Sequence, residues 1–431
     1  MLDIKYLLAN VEAVKQNCRN RNVPTDILDA VDVVVELEQK RKTLLQEVEE
    51  VRRLQNANAQ ATGKEKDPEK RQAFIAEGKQ LKASIGDNET ELKSLDAHLK
   101  SHLARIPNLT HPDAPIGALE DESLELRKVG TPRAFDFKAR DHVEIGKALD
   151  LIDFESGAKV SGHGFYFLKN DAVLLELALQ QFAIRTLVAK GFSPIVTPDL
   201  ARNQILEGIG FTPRGTETQI YSVEESDLSL IGTAEITLGG MHADEIFDEA
   251  VLPLKYVGLS HCFRTEAGAA GRASKGLYRV HQFTKIEMFA FTTPEASNQA
   301  HAELLAIEEE IFTALGIPYR VLDICSGDLG GPAYRKYDLE AWMPGRGEAG
   351  EYGEVTSTSD CTDYQARRLN IRYRPSGQKG TRFVHTLNGT ALALSRALIV
   401  ILENYQRADG LVDVPTVLQP YMGKEVIGRR P

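Results

Sequence analysis

Two stretches near the N-terminus place apolar residues on alternating three- and four-residue steps, and no other feature limits the fold as much. In the first, from about residue 27 to 58, the steps fall on Val34, Leu37, Leu44, Val48 and Val51, with Arg41 as a polar interruption. In the second they fall on Phe74, Leu81, Ile85, Leu92, Leu95 and Leu99. Such spacing keeps one apolar stripe on one side of a helix, as in a coiled-coil seam. The break between them, Gln60 to Pro68, is polar and contains Gly63 and Pro68. Two helices of similar length joined by a short Gly/Pro turn predict an antiparallel αα-hairpin over about 27–103. A helix of roughly 32 residues is about 50 Å long. A pair with one apolar seam can close on itself. The alternative is a pair folded back onto the rest of the chain, but the polar surface outside the seam favours a projecting arm.

After the arm, Arg105 to Gly117 is proline-rich and reads as a linker, giving an N-terminal domain over 1–110 and a second domain over 111–431. The second domain mixes periods. Ala172–Lys190, Glu295–Leu315 and Ala391–Gln406 read as helices, the first ended by Gly191. Ser193–Pro198, Leu252–Phe263, Tyr278–Phe291, Tyr319–Asp323, Tyr337–Trp342 and Tyr352–Ser357 read as strands. Adjoining strands with few intervening helices predict an α+β domain, an antiparallel sheet with helices packed on it.

The net charge of −11 argues at first against a nucleic-acid partner. Its distribution weakens that argument. Residues 1–110 hold 18 Lys+Arg against 18 Asp+Glu, so the whole deficit lies in the remainder. Phosphates respond to the local field, and a neutral arm can carry basic faces. Cys18, Cys262, Cys325 and Cys361 are scattered without a C-x-x-C pair, so neither structural zinc nor a disulfide framework is expected, and a reducing cytoplasm fits. The apolar stretch Ala391–Leu402 is too short to span a bilayer and carries Arg396, and the first residues lack the form of a secretory signal, so no membrane association is expected.

Chemistry concentrates in four clusters. Phe263-Arg264-Thr265-Glu266 precedes a Gly/Ala-rich basic loop and then Arg279-Val280-His281-Gln282-Phe283, with no acid from Ala267 to Phe283. Read as strands, Arg264 and Glu266 share a face, as do Arg279, His281, Phe283, Lys285 and Glu287. Two polar-faced strands and a cationic loop suit an anionic nucleotide; the bland alternative is a solvated surface hairpin. Thr233-Ala234-Glu235 sits in an apolar setting. In Glu354-Val355-Thr356-Ser357, alternation places Glu354 and Thr356 together. Asn388-Gly389-Thr390 reads as a loop entering an apolar helix, with the free N–H groups of a helix start. Arg396 in that helix requires an anionic partner, either a protein carboxylate or a bound phosphate. No phosphate-loop motif is present, and Gly162-His163-Gly164 is only a fragment of a glycine-rich one. Arginines and a metal would then hold any phosphates.

In this order the clusters resemble the class II aminoacyl-tRNA synthetases, and within them the seryl-tRNA synthetases, over essentially the whole chain. Gly191-Phe192-x-x-Ile195-x-x-Pro198 is similar to the first class II motif, a dimer-interface helix and strand. Phe263 to Phe283 is similar to the second, and Leu387 to Arg396 with the following Ile-Leu-Glu-Asn-Tyr-Gln to the third. Asp360 to Arg368 adds to the likeness. The resemblance implies a serine–tRNA ligase of protein biosynthesis: ATP and serine give seryl-adenylate, and serine passes to the 3′ end of tRNA(Ser), and of tRNA(Sec) as an open possibility. It implies a class II antiparallel catalytic domain, a homodimer, and an arm that grips the long variable arm of the tRNA. The arm candidates are Arg41, Lys42, Arg52, Arg53, Lys64, Lys66, Lys70 and Arg71.

Roles carry over residue by residue as implications of that resemblance. Arg264, Glu354 and Arg396 would be catalytic. Arg264 would contact the α-phosphate and the serine carboxylate. Thr265, Glu266, Val280 and Phe283 would meet the adenosine, Glu266 through the adenine amino group and Phe283 by stacking. Arg279 and Arg396 would hold the outer phosphates, with Val355 and Thr356 beside them. Glu354 and Ser357 would hold Mg2+ with ATP. Thr233, Ala234, Glu235, Glu287, Asn388 and Thr390 would bind serine together with Arg264. The loop from Ala267 to Gly276 would serve the tRNA end. The chain departs from the usual pattern at Gly232, where proline is common, at Thr356 and Thr390, where serine is usual, and at Gly164, where the pattern has arginine. Two other readings stay open: a ligase charging another acceptor such as a carrier protein, and a non-catalytic RNA-binding paralogue. The intact arm argues against the first, and Arg264, Glu266, Glu287, Glu354 and Arg396 against the second.

Overall fold

The structure is a computed structural model that describes residues 1–211, 219–266 and 275–429. The chain divides into two compact units, Met1–Leu109 and Thr110–Pro431.

In the first unit two short helices, α1 (Ile4–Ala9) and α2 (Val11–Asn20), precede two long ones, α3 (Thr25–Lys64) and α4 (Pro68–Arg105). Val34, Leu44, Val48 and Leu99 are buried along the α3–α4 seam, as the spacing predicts. Arg41 is accommodated by an ion pair with Asp96 of α4 at 2.5 Å. The helices are longer than the apolar pattern alone indicates, 40 and 38 residues, or about 60 Å. The connecting turn is only residues 65–67. Pro68 does not break α4 but opens it, because the first helical residue has no N–H partner to lose. Asp67 caps it, accepting from the N–H groups of Glu69 and Lys70 at 2.9 and 3.3 Å.

The second unit is built on an eight-stranded sheet: β1 (Leu124–Val129), β2 (Ser193–Val196), β3 (Leu254–Phe263), β4 (Gln282–Thr292), β5 (Tyr319–Asp323), β6 (Arg335–Met343), β7 (Glu351–Asp360) and β8 (His385–Ala393). The order is β1-β5-β6-β7-β8-β4-β3-β2. Every pairing is antiparallel except that of the edge strand β2 with β3. The helices used below are α5 (His142–Ala148), α6 (Asp171–Ala189), α7 (Asn203–Ile209), α8 (Glu235–Gly240), α9 (Ser297–Ala314), α10 (Tyr364–Leu369) and α11 (Leu394–Asn404).

Alternation along β4 sorts the two faces of the sheet. Ile286, Met288 and Ala290 enter the main core with residues of α6, α9 and α11. Phe289 and Phe291 point the other way, into a second core with α7, α8 and α10. Lys285 and Glu287 share that second face, so the groups that carry charge lie between the second core and the end of the strand. Helix α6 is long and apolar enough to cross a bilayer by length and composition. Its Leu175, Ala178, Leu179, Phe182 and Leu187 recur at helical spacing and lie fully or nearly fully buried in the main core.

Three expectations need correction. Strand β3 ends at Phe263 and β4 begins at Gln282, so Arg264, Glu266, Arg279 and His281 lie outside the strands and are not placed by alternation. Asn388–Ala393 belongs to β8, paired with β4 as far as Ala393 and with β7 at Asn388 and Gly389, and the helix starts only at Leu394. Asn388, Gly389 and Thr390 therefore offer no helix N-terminus. Finally, Glu354 and Thr356 do not alternate regularly. Leu339 of β6 pairs with Thr356 while Glu340 pairs with Glu354, leaving Val355 as a bulge.

Candidate active site

A cavity of about 140 Å³ opens over β4, β7 and β8. Arg264, Glu266, Arg279, Val280, Phe283, Lys285, Glu354, Val355, Thr356, Ser357, Thr390 and Arg396 line it, together with Tyr278. Eleven of the sequence-selected residues thus share one space, although they come from five separate parts of the chain.

The segment after β3 is held from several sides. The Arg264 N–H donates to the His281 carbonyl at 3.0 Å. Its guanidinium donates through Nε to the Gly232 carbonyl at 3.3 Å, and its Cζ lies 5.4 Å from the Phe283 ring centroid. Glu266 takes a left-handed backbone, φ +51°, and accepts from Arg279 Nη1 at 3.2 Å. The Thr265 N–H donates to the Gln219 carbonyl at 3.3 Å. His281 anchors this corner. Its Nδ1 lies 2.9 Å from both the Arg264 carbonyl and the Tyr221 hydroxyl, and its ring stacks on Phe165 at 5.3 Å. A Cβ on Gly164, φ +83°, would fall 2.3 Å from that ring. The Gly162-His163-Gly164 fragment is therefore a seat for His281 and not a phosphate cradle. The basic stretch 267–274, assigned to the tRNA end, lies outside the described residues.

On the second-core side is a dense polar patch. Lys285 ion-pairs with Glu287 and donates to the Thr233 hydroxyl at 3.1 Å. Glu235, at the first turn of α8, accepts from Gln365 Nε2 at 2.7 Å and from Asn388 Nδ2 at 3.0 Å. Loss of water, then the nearby Glu287 charge, pushes the Glu235 carboxyl up to about 7, against the pull of Gln365, Lys285 and Arg264. Ala234 is fully buried in the second core, so its side chain packs and its carbonyl accepts from Leu238 N–H at 2.9 Å. Thr390, paired with Glu287 across β8 and β4, is also buried.

Arg396 has its anionic partner in the protein. Nη1 donates to the Glu354 carbonyl at 2.9 Å and lies 3.1 Å from its carboxylate. Loss of water would raise Glu354, but the Arg396 and Lys336 cations outweigh it and hold the carboxyl below its ordinary value. Tyr278 is gripped between two guanidinium groups, with Arg346 at 4.4 Å and Arg396 at 4.7 Å from its ring centroid. The bulge determines what the neighbouring residues do. Val355 packs into the main core, and Thr356 donates to Glu308 of α9 at 2.8 Å. Glu354 and Ser357, three apart, would point to opposite faces of a regular strand. With the bulge between them, both line the cavity.

Sequence patterns alone missed Lys285, Tyr278, His281 and Gln365 as site residues. The first three stand inside the charged motif and could have been marked by proximity. Gln365 lies in the Asp360–Arg368 stretch that carries part of the likeness, but no site role was assigned to it, because that role depends on α10 docking beside β8. Among the described residues no group of three or more His, Cys, Asp or Glu is arranged to hold a metal.

Likeness to known proteins extends over the full length of the chain. Residues 1–110 match the seryl-tRNA synthetase N-terminal domain, and residues 219–405 the tRNA synthetase class II core domain (G, H, P, S and T). A serine–tRNA ligase of Rubrobacter xylanophilus is 58% identical over 428 residues, 99% of each chain. The crystal structure of seryl-tRNA synthetase from Pyrococcus horikoshii complexed with ATP superposes with a TM-score of 0.94 at 42% identity, covering 100% of both chains. That of the cytoplasmic serine–tRNA ligase from Naegleria fowleri in complex with AMP gives 0.87 at 35% identity, covering 100% of this chain and 99% of that one. With a class II sheet, a long helical arm and this full-length identity, the chain belongs to the seryl-tRNA synthetase family.

Proposed function

We propose that this protein is a serine–tRNA ligase, which activates serine with ATP and transfers it to its tRNA. The observation that carries the reading is the adjacency of two unlike polar environments. Arg264, Arg279 and Arg396 line a small cavity; Glu287 and Thr233 lie behind it, both bound to the lining residue Lys285, with Glu235 close enough to Glu287 to feel its charge. The first suits triphosphate, the second an ammonium and a hydroxyl. The reacting carboxylate and α-phosphate would then meet at Arg264.

The chemistry follows from those positions. As the serine carboxylate attacks the α-phosphorus, negative charge grows on the phosphoryl oxygens. A guanidinium fork already fixed by Gly232 and Phe283 stabilises that charge without reorganising. Glu266 would accept from the adenine amino group, Phe283 would stack on the ring, and Val280 and Thr265 would meet the nucleotide through backbone. Arg396 and Arg279 would turn from Glu354 and Glu266 to the outer phosphates. Val355 and Thr356 would contribute backbone to the wall, since their side chains are committed elsewhere. Glu354 and Ser357 present two hard oxygen donors to one space, which fits a magnesium ion that takes its remaining ligands from phosphate and water. When bound, that ion would neutralise phosphate charge. Glu235 and Glu287 would hold the serine ammonium, with Ala234 setting the backbone beneath it. Asn388, Thr233 and Thr390 would surround the hydroxyl. A substrate lacking the hydroxyl would leave buried polar groups unpaired, which is the strong form of discrimination.

Two partners are proposed with it. Arg41, Arg52 and Arg53 are ion-paired within the arm, whereas Lys42, Lys64, Lys66, Lys70 and Arg71 are exposed without an ion pair among the described residues, four of them at the hairpin tip. Those five suit the phosphates of a tRNA variable arm. Val173, Leu177 and Val188 of α6 are each more than 40% exposed, and Val196 on the open edge strand β2 is 79% exposed. An apolar face beside an unpaired strand edge suits a homodimer. The functional test is serine-dependent exchange of pyrophosphate into ATP. Well-folded protein with Mg2+ should catalyse it, and its failure to do so would remove the reading.

A further inference from the structure

Beneath the cavity, on the main-core side of the sheet, lies a carboxyl that the proposed reaction does not use. Glu308 of α9 is completely buried. Its Oε2 accepts from the Thr356 hydroxyl at 2.8 Å, and its Oε1 has no hydrogen-bond partner. Among the described residues it faces no cation at ion-pair distance. Burial raises this carboxyl well above its ordinary range, the neighbouring Asp338 and Glu287 charges add to that, and the Thr356 bond and Lys285 oppose it. A buried, half-satisfied carboxyl is a costly way to fill a core, and its single bond goes to the strand β7 at the bulge.

We infer that Glu308 is a positioning residue for the nucleotide site: by holding Thr356 below the sheet it fixes the bulge at Val355, so that Glu354 and Ser357 face the cavity together. Without the bulge, strand alternation would send one of the two to the core side. Gly389 of the adjacent strand β8 completes the fit, because a Cβ there would lie 3.0 Å from both Glu308 Oε1 and the Thr358 hydroxyl. A side chain at this strand neighbour would crowd the carboxyl that Thr356 holds.

The inference rests on the nucleotide assignment above, and the test separates the two. MgATP binding is measured by calorimetry, and the KM values for ATP and serine by exchange. Glu308→Gln keeps an acceptor without a charge and should bind MgATP as the wild type does. Glu308→Leu and Thr356→Val remove the bond from either side and should each weaken MgATP by about three- to tenfold, the loss of one hydrogen bond. The KM for serine should stay within about twofold. Wild-type MgATP affinity in Thr356→Val, or equal losses for serine and MgATP, or a Glu308→Gln enzyme as impaired as Glu308→Leu, would overturn the inference. If Glu308→Leu does not fold, Thr356→Val decides, since it keeps the shape of the side chain. A wild-type protein that binds MgATP but shows no serine-dependent exchange would sink the functional reading while leaving the role of the bulge measurable.

Discussion

Serine binding should expel a proton from Glu235, and this can be measured without tRNA. In the free site this carboxyl is pushed up to about 7 by loss of water and by Glu287. The charge of Glu287 is already matched by Lys285. An incoming ammonium therefore finds Glu235 largely protonated in mildly acidic solution, and it can pair only with the ionised form. The sign follows: affinity for serine rises with pH until Glu235 is ionised. With a pKa of about 7, roughly one molecule in eleven is ionised at pH 6 and about three in four at pH 7.5. Serine affinity should thus improve about eightfold over that window, about 1.2 kcal/mol. Calorimetry at pH 6 in two buffers of different ionisation heat should report nearly one proton released per serine bound. Glu235→Gln keeps the acceptor for Gln365 and Asn388 but has no proton to lose. Its affinity should be lower and flat across the window. Asp338 of β6 is also pushed up to about 7 by burial, so the mutant separates the two acids. A wild-type serine affinity independent of pH, or the same slope in Glu235→Gln, would refute the reasoning.

Three further outcomes follow from the same geometry. Arg264→Ala should lower the rate of adenylate formation by about two to three powers of ten, as expected when one charged clamp on the transition state is lost; single-turnover kinetics near the wild-type rate would contradict its assigned place. Replacing Lys64, Lys66, Lys70 and Arg71 by alanine should raise the KM for tRNA and flatten its salt dependence while leaving serine-dependent exchange intact; unchanged tRNA kinetics would argue against the hairpin tip as a contact. Leu177→Glu together with Val196→Glu should shift the protein from dimer to monomer in sedimentation at micromolar concentration, and a species unaffected by both charges would place the interface elsewhere.

What the sequence disclosed depended on how local each feature is. The α3–α4 seam was readable because heptad spacing is a property of one helix at a time. The turn was misjudged because Asp67 and Pro68 look like breakers in isolation, whereas together they supply a cap and a first helical residue. The charged cluster around Arg264 was readable by residue type, since arginines and acids of that density have no place in a core. Its geometry was not, because β3 stops at Phe263 and alternation says nothing beyond a strand end. Arg396 stood out because a cation in an apolar helix must have a partner. That the partner is Glu354 depends on β7 lying beside α11, which is a matter of tertiary packing. The bulge at Val355 escaped for the same reason, since Glu308, which lies beneath it, is nearly fifty residues away in the chain. Thr356 reads as a nucleotide ligand in sequence, but its hydroxyl turns away from the site.

The central claim is that two environments, one for triphosphate and one for a small hydroxylated amino acid, meet at Arg264 in a protein that charges tRNA. It is tested most directly by aminoacylation of purified tRNA(Ser) with a panel of radiolabelled amino acids, serine, threonine, alanine, glycine and cysteine, at equal concentration. The account predicts that serine is esterified to the tRNA with ATP consumed to AMP, and that alanine, lacking the hydroxyl, is disfavoured by about four powers of ten. Charging with alanine or threonine at a rate comparable to serine, or adenylate formation without any transfer to the tRNA, would contradict it.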